Sequence, residues 1–478
     1  MGFAMQRNEI PRRTVLAGAL TGALTGTLRG SANGLLIGRS PAQEKSQRAT
    51  LRILIPKGSE ANLAPITAAF EKTRDVKIVV ETCGVDDVST EMTLRTMAGQ
   101  VNFDVALPPS FAMPDLVEAG IIQPLEESAA HGETSEDRGS LYSFGDRYKG
   151  TLYGHQTDGD VYLMFYNQRL FEDEAARKRF VDLHGRELTI PQTWEELDQA
   201  MEFFHHPAAG QFGGNLFRSA GYIGWEFWVR LHAKGVFPVD DEMRPRLGTP
   251  EGIEAAQQLI DASRWLRPGS RTAGLFDNWK DFEEGQTFCN IGWGGSQKHF
   301  RRPTSKVRDG LIFASTPGGR IDGSLLPLSY FNWGWNFAVS SRTPHPELSA
   351  EFTRFATTGD AAVAAVRAVD GFFDPYLEAH YEDEAIEAIY TRPFLDQHRR
   401  SLEQAIPDFY LAGRGEYFDL LGRFLVAADR GEMPVAEALK VISAGWDVIT
   451  NRIGRSSQIS QWQFIKSRYP ESIRSRLA

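Results

Sequence analysis

Two carboxylates, Asp158 and Asp160, stand at the head of the run "VYLMFYN", in which Val161, Leu163 and Phe165 alternate with Tyr162, Met164 and Tyr166. Residues two apart on a strand project to the same side. Four chemistries suit such a pair: general acid and base on a glycosidic bond, a metal site, a solvated turn, or the polar floor of a pocket. Asp158 precedes Gly159, so a turn with a solvated carboxylate competes there with a binding role. Asp160 opens an otherwise apolar strand, where an unpaired charge is costly, and that favours binding.

The rest of the chain weighs against catalysis and metal binding. Acid and base for sugar hydrolysis would have to be Asp158 with Asp160, or Glu283 with Glu284, yet glycosidases draw such groups from different strand ends. The ten histidines are scattered, and no cluster has metal-ligand spacing. A "GxSxG" nucleophile turn is absent. No cofactor and no metal are expected.

Aromatic residues supply a different chemistry. A sugar ring has apolar faces and a rim of hydroxyls, so its receptor needs flat aromatics for the faces and carboxylates or amides for the rim. Among ten tryptophans, Trp293 in "GWGGS" and Trp333 and Trp335 in "FNWGWN" stand next to glycines, which allow close approach of a ligand. Strand alternation through Asn332, Trp333 and Trp335 turns some side chains to a cleft and others to a core, so one of the two tryptophans is expected to reach a ligand. Ser296 and Gly294 offer donors at a helix start. Acidic and aromatic residues also suit small cations such as polyamines.

The elements that carry these residues read as α/β. "LRILIP" is a short strand, "SEANLAPITAAFEKTRD" a helix with Leu63, Ile66 and Phe70 at helical spacing, and "VKIVVETC" a second strand. Alternation continues through "STEMTLRTMAGQ" and "FDVALPP", which favours a parallel sheet with helices on both faces. Ligands of such sheets bind outside the carboxyl ends of the strands, which places "PKGSE" and "PPSFA" on one rim. Later, Thr193 with Glu196 makes a capping box, "IGWEFWVRLHAKG" is a helix stopped by Gly235, and Thr249 with Pro250 begins another.

Length and charge bound the remainder. The chain has 478 residues, enough for two cores, and its net charge of −10 shows no basic footprint for nucleic acid. At the amino terminus Arg12 and Arg13 precede an uncharged stretch, Thr14 to Leu28, shorter than the roughly 20 apolar residues of a membrane span. "PRRTVLAGA" resembles a twin-arginine signal, although the usual residues before the arginines and after the apolar pair are missing. Cleavage sites follow near Ala32 and Ala42, giving a signal over 1–42 and a periplasmic destination. Neither Cys83 nor Cys289 lies beside the signal, so no lipid anchor is expected, and two free thiols are favoured over one disulfide.

The order of segments resembles extracellular solute-binding proteins, family 1, the periplasmic sugar-binding components of ABC importers that include maltose-binding protein. The likeness runs from Leu51 to Ile453. It is carried by "YGHQTDGDVYLMFYNQRLFED", "DFEEGQTFCNIGWGGS", "SYFNWGWNFAVSSRTPHPELSAEFTRFATTGDAAVAAV" and "RGEMPVAEALKVISAGWDVI". It implies a type II periplasmic-binding-protein-like fold, two α/β lobes joined by crossover hinge segments. The amino-terminal lobe would comprise 50–157 plus 336–390 and the carboxy-terminal lobe 158–335 plus 391–478, with a small carbohydrate or polyol clamped between them.

The resemblance also implies roles. Trp293 would be the stacking platform and Asp160 the carboxylate facing ligand hydroxyls. Ser59, Glu60 and Ser110 would contribute from the first lobe, competing with ordinary capping roles, and Phe372 and Tyr417 would line the pocket. Tyr376 stands where the family often has an arginine, which argues against an anionic ligand at that point. The expected partners are the ligand and the transmembrane subunits of an ABC permease, with the receptor itself a monomer and not an enzyme.

Overall fold

Leu51, Ile53, Leu54 and Ile55 of the first strand are fully buried, a near-continuous apolar run suited to a strand paired on both edges. In the computed structural model, which describes residues 48–100, 102–126 and 139–478, Ala49–Pro56 runs parallel to Val76–Cys83 and to Val105–Ala106. The helix Glu60–Thr73 closes the first crossover with Leu63, Ile66 and Phe70 buried. The 1–42 signal lies outside the described residues. "FDVALPP" is strand only at Val105–Ala106, because its prolines cannot donate to a ladder.

Among the described residues there are two principal sheets. The first has five strands in the order Val76–Cys83, Ala49–Pro56, Val105–Ala106, Asn336–Val339, Gly154–Gln156. The second runs Ile406–Pro407, Tyr330–Phe331, Val161–Asn167, Thr287–Gly292, Phe212–Asn215, and Leu311–Ser315 also pairs with Val161–Asn167. All seven residues of Val161–Asn167 are buried. A strand covered on both faces has no polar side to offer, which is why its alternation is apolar against aromatic.

The chain leaves the first sheet after Gln156 and enters the second at Val161; it leaves the second after Phe331 and rejoins the first at Asn336. These two crossings lie side by side and antiparallel. Gln156 pairs with Asn336 at one end, Val161 with Phe331 at the other, and Thr157 N donates to Trp335 O at 2.9 Å between them. Asp158 and Asp160 therefore sit on one crossing, and Asn332, Trp333 and Trp335 on its neighbour.

Behind the crossings lies the helix Ile223–Ala233, every residue of which is buried. It carries charge into the core. Glu226 accepts from Arg218 at 2.6 Å and from Arg230 Nε at 2.9 Å, while Arg230 also holds Asp198 at 2.7 and 2.8 Å. The Arg230 guanidinium lies 4.3 Å from the Trp194 ring centre. Thr193 caps the helix Trp194–Phe204 by accepting from Glu196 N, and Cys83 and Cys289 are both free thiols.

Candidate functional site

The site grows from the two crossings. Gly159 sits between the carboxylates because a Cβ there would strike Pro375 O at 2.0 Å; the loop 371–377 is thus packed directly on the first crossing. That contact brings a third carboxylate. Asp374 N donates to Asp158 Oδ1 at 2.7 Å, and oxygens of Asp158, Asp160 and Asp374 lie within 4.8 Å of one another, all buried. Such a spacing can gather a cation.

One ammonium already stands near. Lys298 Nζ donates to Ala368 O and Phe373 O, both at 3.0 Å, and Tyr390 OH donates to Asp374 Oδ1 at 3.0 Å. Burial, and then repulsion by Asp374, pushes Asp158 well above the ordinary carboxylate range. Asp160 is raised in the same way by burial and by Asp158 and Asp374, with Asp374 as a hydrogen-bond partner. Burial also lifts Asp374 to about 6 and lowers Lys298 to about 8. The cluster therefore keeps protons that isolated carboxylates would lose.

Asp160 faces outward from this cluster into a cavity of about 20 Å³ walled by Trp279, Trp293, Trp333, Trp335 and Phe372. The rings brace one another: Trp293 meets Trp333 edge-on at 5.3 Å, Trp335 follows at 5.7 Å, and Trp225 and Tyr222 back them. Each such pair adds roughly 1 kcal/mol beyond burial. Trp293 Nε1 donates to Asn332 Oδ1 at 2.8 Å, which fixes the indole plane. Asn332 thus orients the platform from within the core.

Strand alternation would have turned only one of Trp333 and Trp335 to the cavity, but both line it. Gly334 adopts φ +65, a left-handed conformation that breaks the period, and its N–H donates to Asp160 Oδ2 at 3.3 Å. Beyond Trp279, Gly295 and Phe372 the cavity meets a groove of about 450 Å³, edged by Gly58, Phe276 and Lys280. Phe372 belongs to both spaces.

Other residues singled out in the sequence have structural partners. Ser59 Oγ closes a turn onto Pro56 O at 2.7 Å, Ser110 Oγ bonds Asn336, and Ser296 Oγ accepts from Trp279 Nε1 at 2.7 Å. Glu60 is exposed and accepts from Gly58 N, at the groove edge. Asp158 is fully buried, so the solvated-turn alternative is corrected: the loop 371–377 covers it. Tyr417 is also corrected. It is buried against Phe409 and Trp446, with its hydroxyl on Thr450 at 2.7 Å, and is not among the cavity's lining residues.

Sequence reasoning missed Asp374, Lys298, Tyr390, Trp225 and Trp279. Asp374 follows two phenylalanines, and the argument applied to Asp160, a charge within an apolar run, would have marked it. Glu283 and Glu284 do not meet in a site: Glu283 pairs with His299 at 2.9 Å and Glu284 with Arg267 at 2.7 Å.

A family model described as bacterial extracellular solute-binding protein matches residues 66–389. The chain belongs to that family. Its fold is that of type II periplasmic binding proteins. An ABC transporter solute-binding protein from Agrobacterium vitis S4 with bound D-mannitol superposes with a TM-score of 0.70 at 19% identity, covering 85% of this chain and 99% of that one. One from Agrobacterium radiobacter K84 in complex with ribitol gives 0.73 at 16% identity, over 84% and 98%. Maltose-bound T. maritima MalE3 gives 0.70 at 18%, over 84% and 100%. At these identities the likeness is one of fold. No curated protein sequence matches the chain.

Proposed function

We propose that this solute-binding protein captures a small carbohydrate or polyol at the Asp160 cavity and delivers it to the transmembrane subunits of an ABC permease. The observation that carries the reading is a buried carboxylate at the end of a chamber walled by five aromatic rings. Unpaired buried donors and acceptors stand around it, among them Asn332 Nδ2, Trp333 Nε1 and Asp158 Oδ2. Hydroxyls both donate and accept, so a polyol can satisfy such a mixed set. Similar folds bind D-mannitol and ribitol.

The protein acts as a monomeric receptor, not an enzyme. Its three carboxyls form one buried cluster of which Asp160 alone reaches the chamber, whereas glycoside hydrolysis needs two carboxyls flanking the bond. The twin-arginine-like segment supports export to the periplasm. Among the described residues no helix is long and apolar enough to cross a membrane.

The lobes are 50–157 plus 336–390 and 158–335 plus 391–478, and the ligand works by favouring their closed arrangement. Contacts between the two are specific. Tyr222 OH donates to Asp86 at 2.8 Å, and Asp115 accepts from Gly413 N and, at 2.9 Å, from Gly415 N. Asp115→Ala removes both latter bonds, and affinity is expected to fall by about tenfold, the worth of one to two hydrogen bonds. Small-angle scattering of the ligand-free variant should show a larger radius of gyration; an unchanged affinity would remove Asp115 from the closing mechanism.

A thermal-shift panel of sugars, polyols and polyamines tests the ligand class, since stabilisation by a true ligand grows with its concentration. Mannitol, ribitol and maltose head the panel. A clear response to polyamines with none from any hydroxylated compound would overturn the carbohydrate assignment.

A further inference from the structure

The chamber and the groove are unequal in a way that divides a ligand into two parts. About 20 Å³ between Asp160 and the rings holds one small group, not a sugar ring. The contiguous groove of about 450 Å³ has room for the ring itself, with Trp279 and Phe372 shared by both. Whatever group enters the inner chamber meets aromatic rings on its sides and a carboxylate at its end.

Charge narrows the identity of that group. Three carboxyls, Asp158, Asp160 and Asp374, face a single ammonium, Lys298, and Lys298 already spends hydrogen bonds on Ala368 O and Phe373 O. Tyr381, Tyr390, His380 and His398 are further titratable groups near the cluster, and none is a cation there: Tyr390 donates to Asp374, Tyr381 bonds His398, and burial holds both histidines down at about 3. Asp158 Oδ2 is buried with no hydrogen-bond partner, and Trp333 Nε1, on the chamber wall, has none either. One ammonium cannot neutralise three carboxylates, so protons on the carboxyls make up the difference. A cation in the inner chamber would balance it directly and would also be attracted by the faces of the surrounding indoles.

Resting on the carbohydrate reading of this site, we propose that the solute bears a basic nitrogen: an amino-substituted sugar or polyol whose ammonium occupies the inner chamber at Asp160 while its hydroxylated ring lies in the groove. The ammonium takes the place of a proton on the carboxyl cluster. That proton passes to solvent, so the net charge of the cluster with its ligand is conserved.

Matched pairs test this with the full chain. Glucose against glucosamine, and sorbitol against 1-amino-1-deoxysorbitol, are titrated calorimetrically at pH 7, with putrescine and calcium chloride as separate arms. The amine of each pair is expected to bind at least about tenfold more tightly, the worth of a desolvated cation over aromatic faces. Titrations of the amines in phosphate and in HEPES, which differ in ionisation enthalpy, should differ in enthalpy by the release of about one proton, and calcium chloride is titrated in HEPES alone. In Asp160→Asn the preference should fall to nearly nothing.

The neutral member binding as tightly as the amine overturns this inference and leaves the carbohydrate reading standing. A preference that survives in Asp160→Asn also overturns it, by taking the nitrogen away from Asp160. Stabilisation by calcium chloride equal to that by the amine overturns it in favour of a metal-filled carboxylate cluster. Binding by none of the four hydroxylated compounds overturns the inference, and it overturns the reading on which it rests as well where putrescine binds and the wider sugar and polyol panel is also silent. The paired comparison uses the unaltered protein, so a variant that fails to fold does not blunt it.

Discussion

At pH 8 ligand-free Asp160→Asn is expected to melt several degrees above the parent chain, and at pH 4 the two should melt together. The reason is the crowding of three carboxyls in a site from which water is excluded. Asp158, Asp160 and Asp374 are all raised above the ordinary carboxylate range, so the folded state holds protons that the unfolded chain releases above about pH 4. A raised group contributes stability that is complete below its unfolded pKa and is lost as pH climbs toward its folded value. For Asp374, lifted to about 6, that loss falls between about pH 4 and 6 and is on the order of 3 kcal/mol.

Asparagine at 160 does permanently what the protonated acid does. Its amide can donate toward Asp374 and accept from Gly334 N, and it carries no charge to be desolvated. The variant should therefore gain wherever the parent is penalised, and nowhere else. Denaturant or thermal midpoints across this pH range measure it. Equal midpoints at pH 8 would mean that the cluster's charge is balanced by something other than its protons.

Removing Glu226 should have the opposite sign and a larger cost. Glu226→Ala is expected to destabilise the protein by about 3–5 kcal/mol, because it strands Arg218 and Arg230 without their shared partner. Both arginines are fully buried, and Glu226 bonds each of them. Asp198 alone cannot hold both guanidiniums, since it pairs with Arg230 only. Urea denaturation reads the loss. A cost below about 1 kcal/mol would mean that water reaches the arginines and that the ion network is not a buried one.

The same substitution should reach the site. Tyr222 immediately precedes the helix that carries Glu226, and Trp225 lies one position before Glu226; both rings abut Trp333. Loosening this helix releases the back of the aromatic wall, so solute affinity is expected to fall even in variant protein that remains folded.

How much of this was legible before folding depends on range. Local signals were strong: the β-α-β opening, the Thr193 cap and the Thr249–Pro250 helix start depend on neighbours within a few positions, and all are present. Asp160 and the glycine-flanked tryptophans stood out because a charge or a glycine is conspicuous in an apolar run. Ser59, Ser110, Ser296 and Tyr417 were also expected at the ligand, but a hydroxyl's partner is chosen by packing. Each took a structural one, Pro56, Asn336, Trp279 and Thr450 respectively.

The sequence by itself determined the α/β class, the presence of a crossing segment headed by carboxylates, and the aromatic supply for a pocket. Only the tertiary structure decided that Asp374, more than 200 positions away, joins Asp158 through its backbone N–H. It also decided that both Trp333 and Trp335 face inward, through the left-handed turn at Gly334. The physical reason is that alternation and propensity act over a few residues, while desolvation and charge balance depend on which distant groups share a volume. Three ordinary aspartates become one proton-holding cluster only when the fold encloses them together.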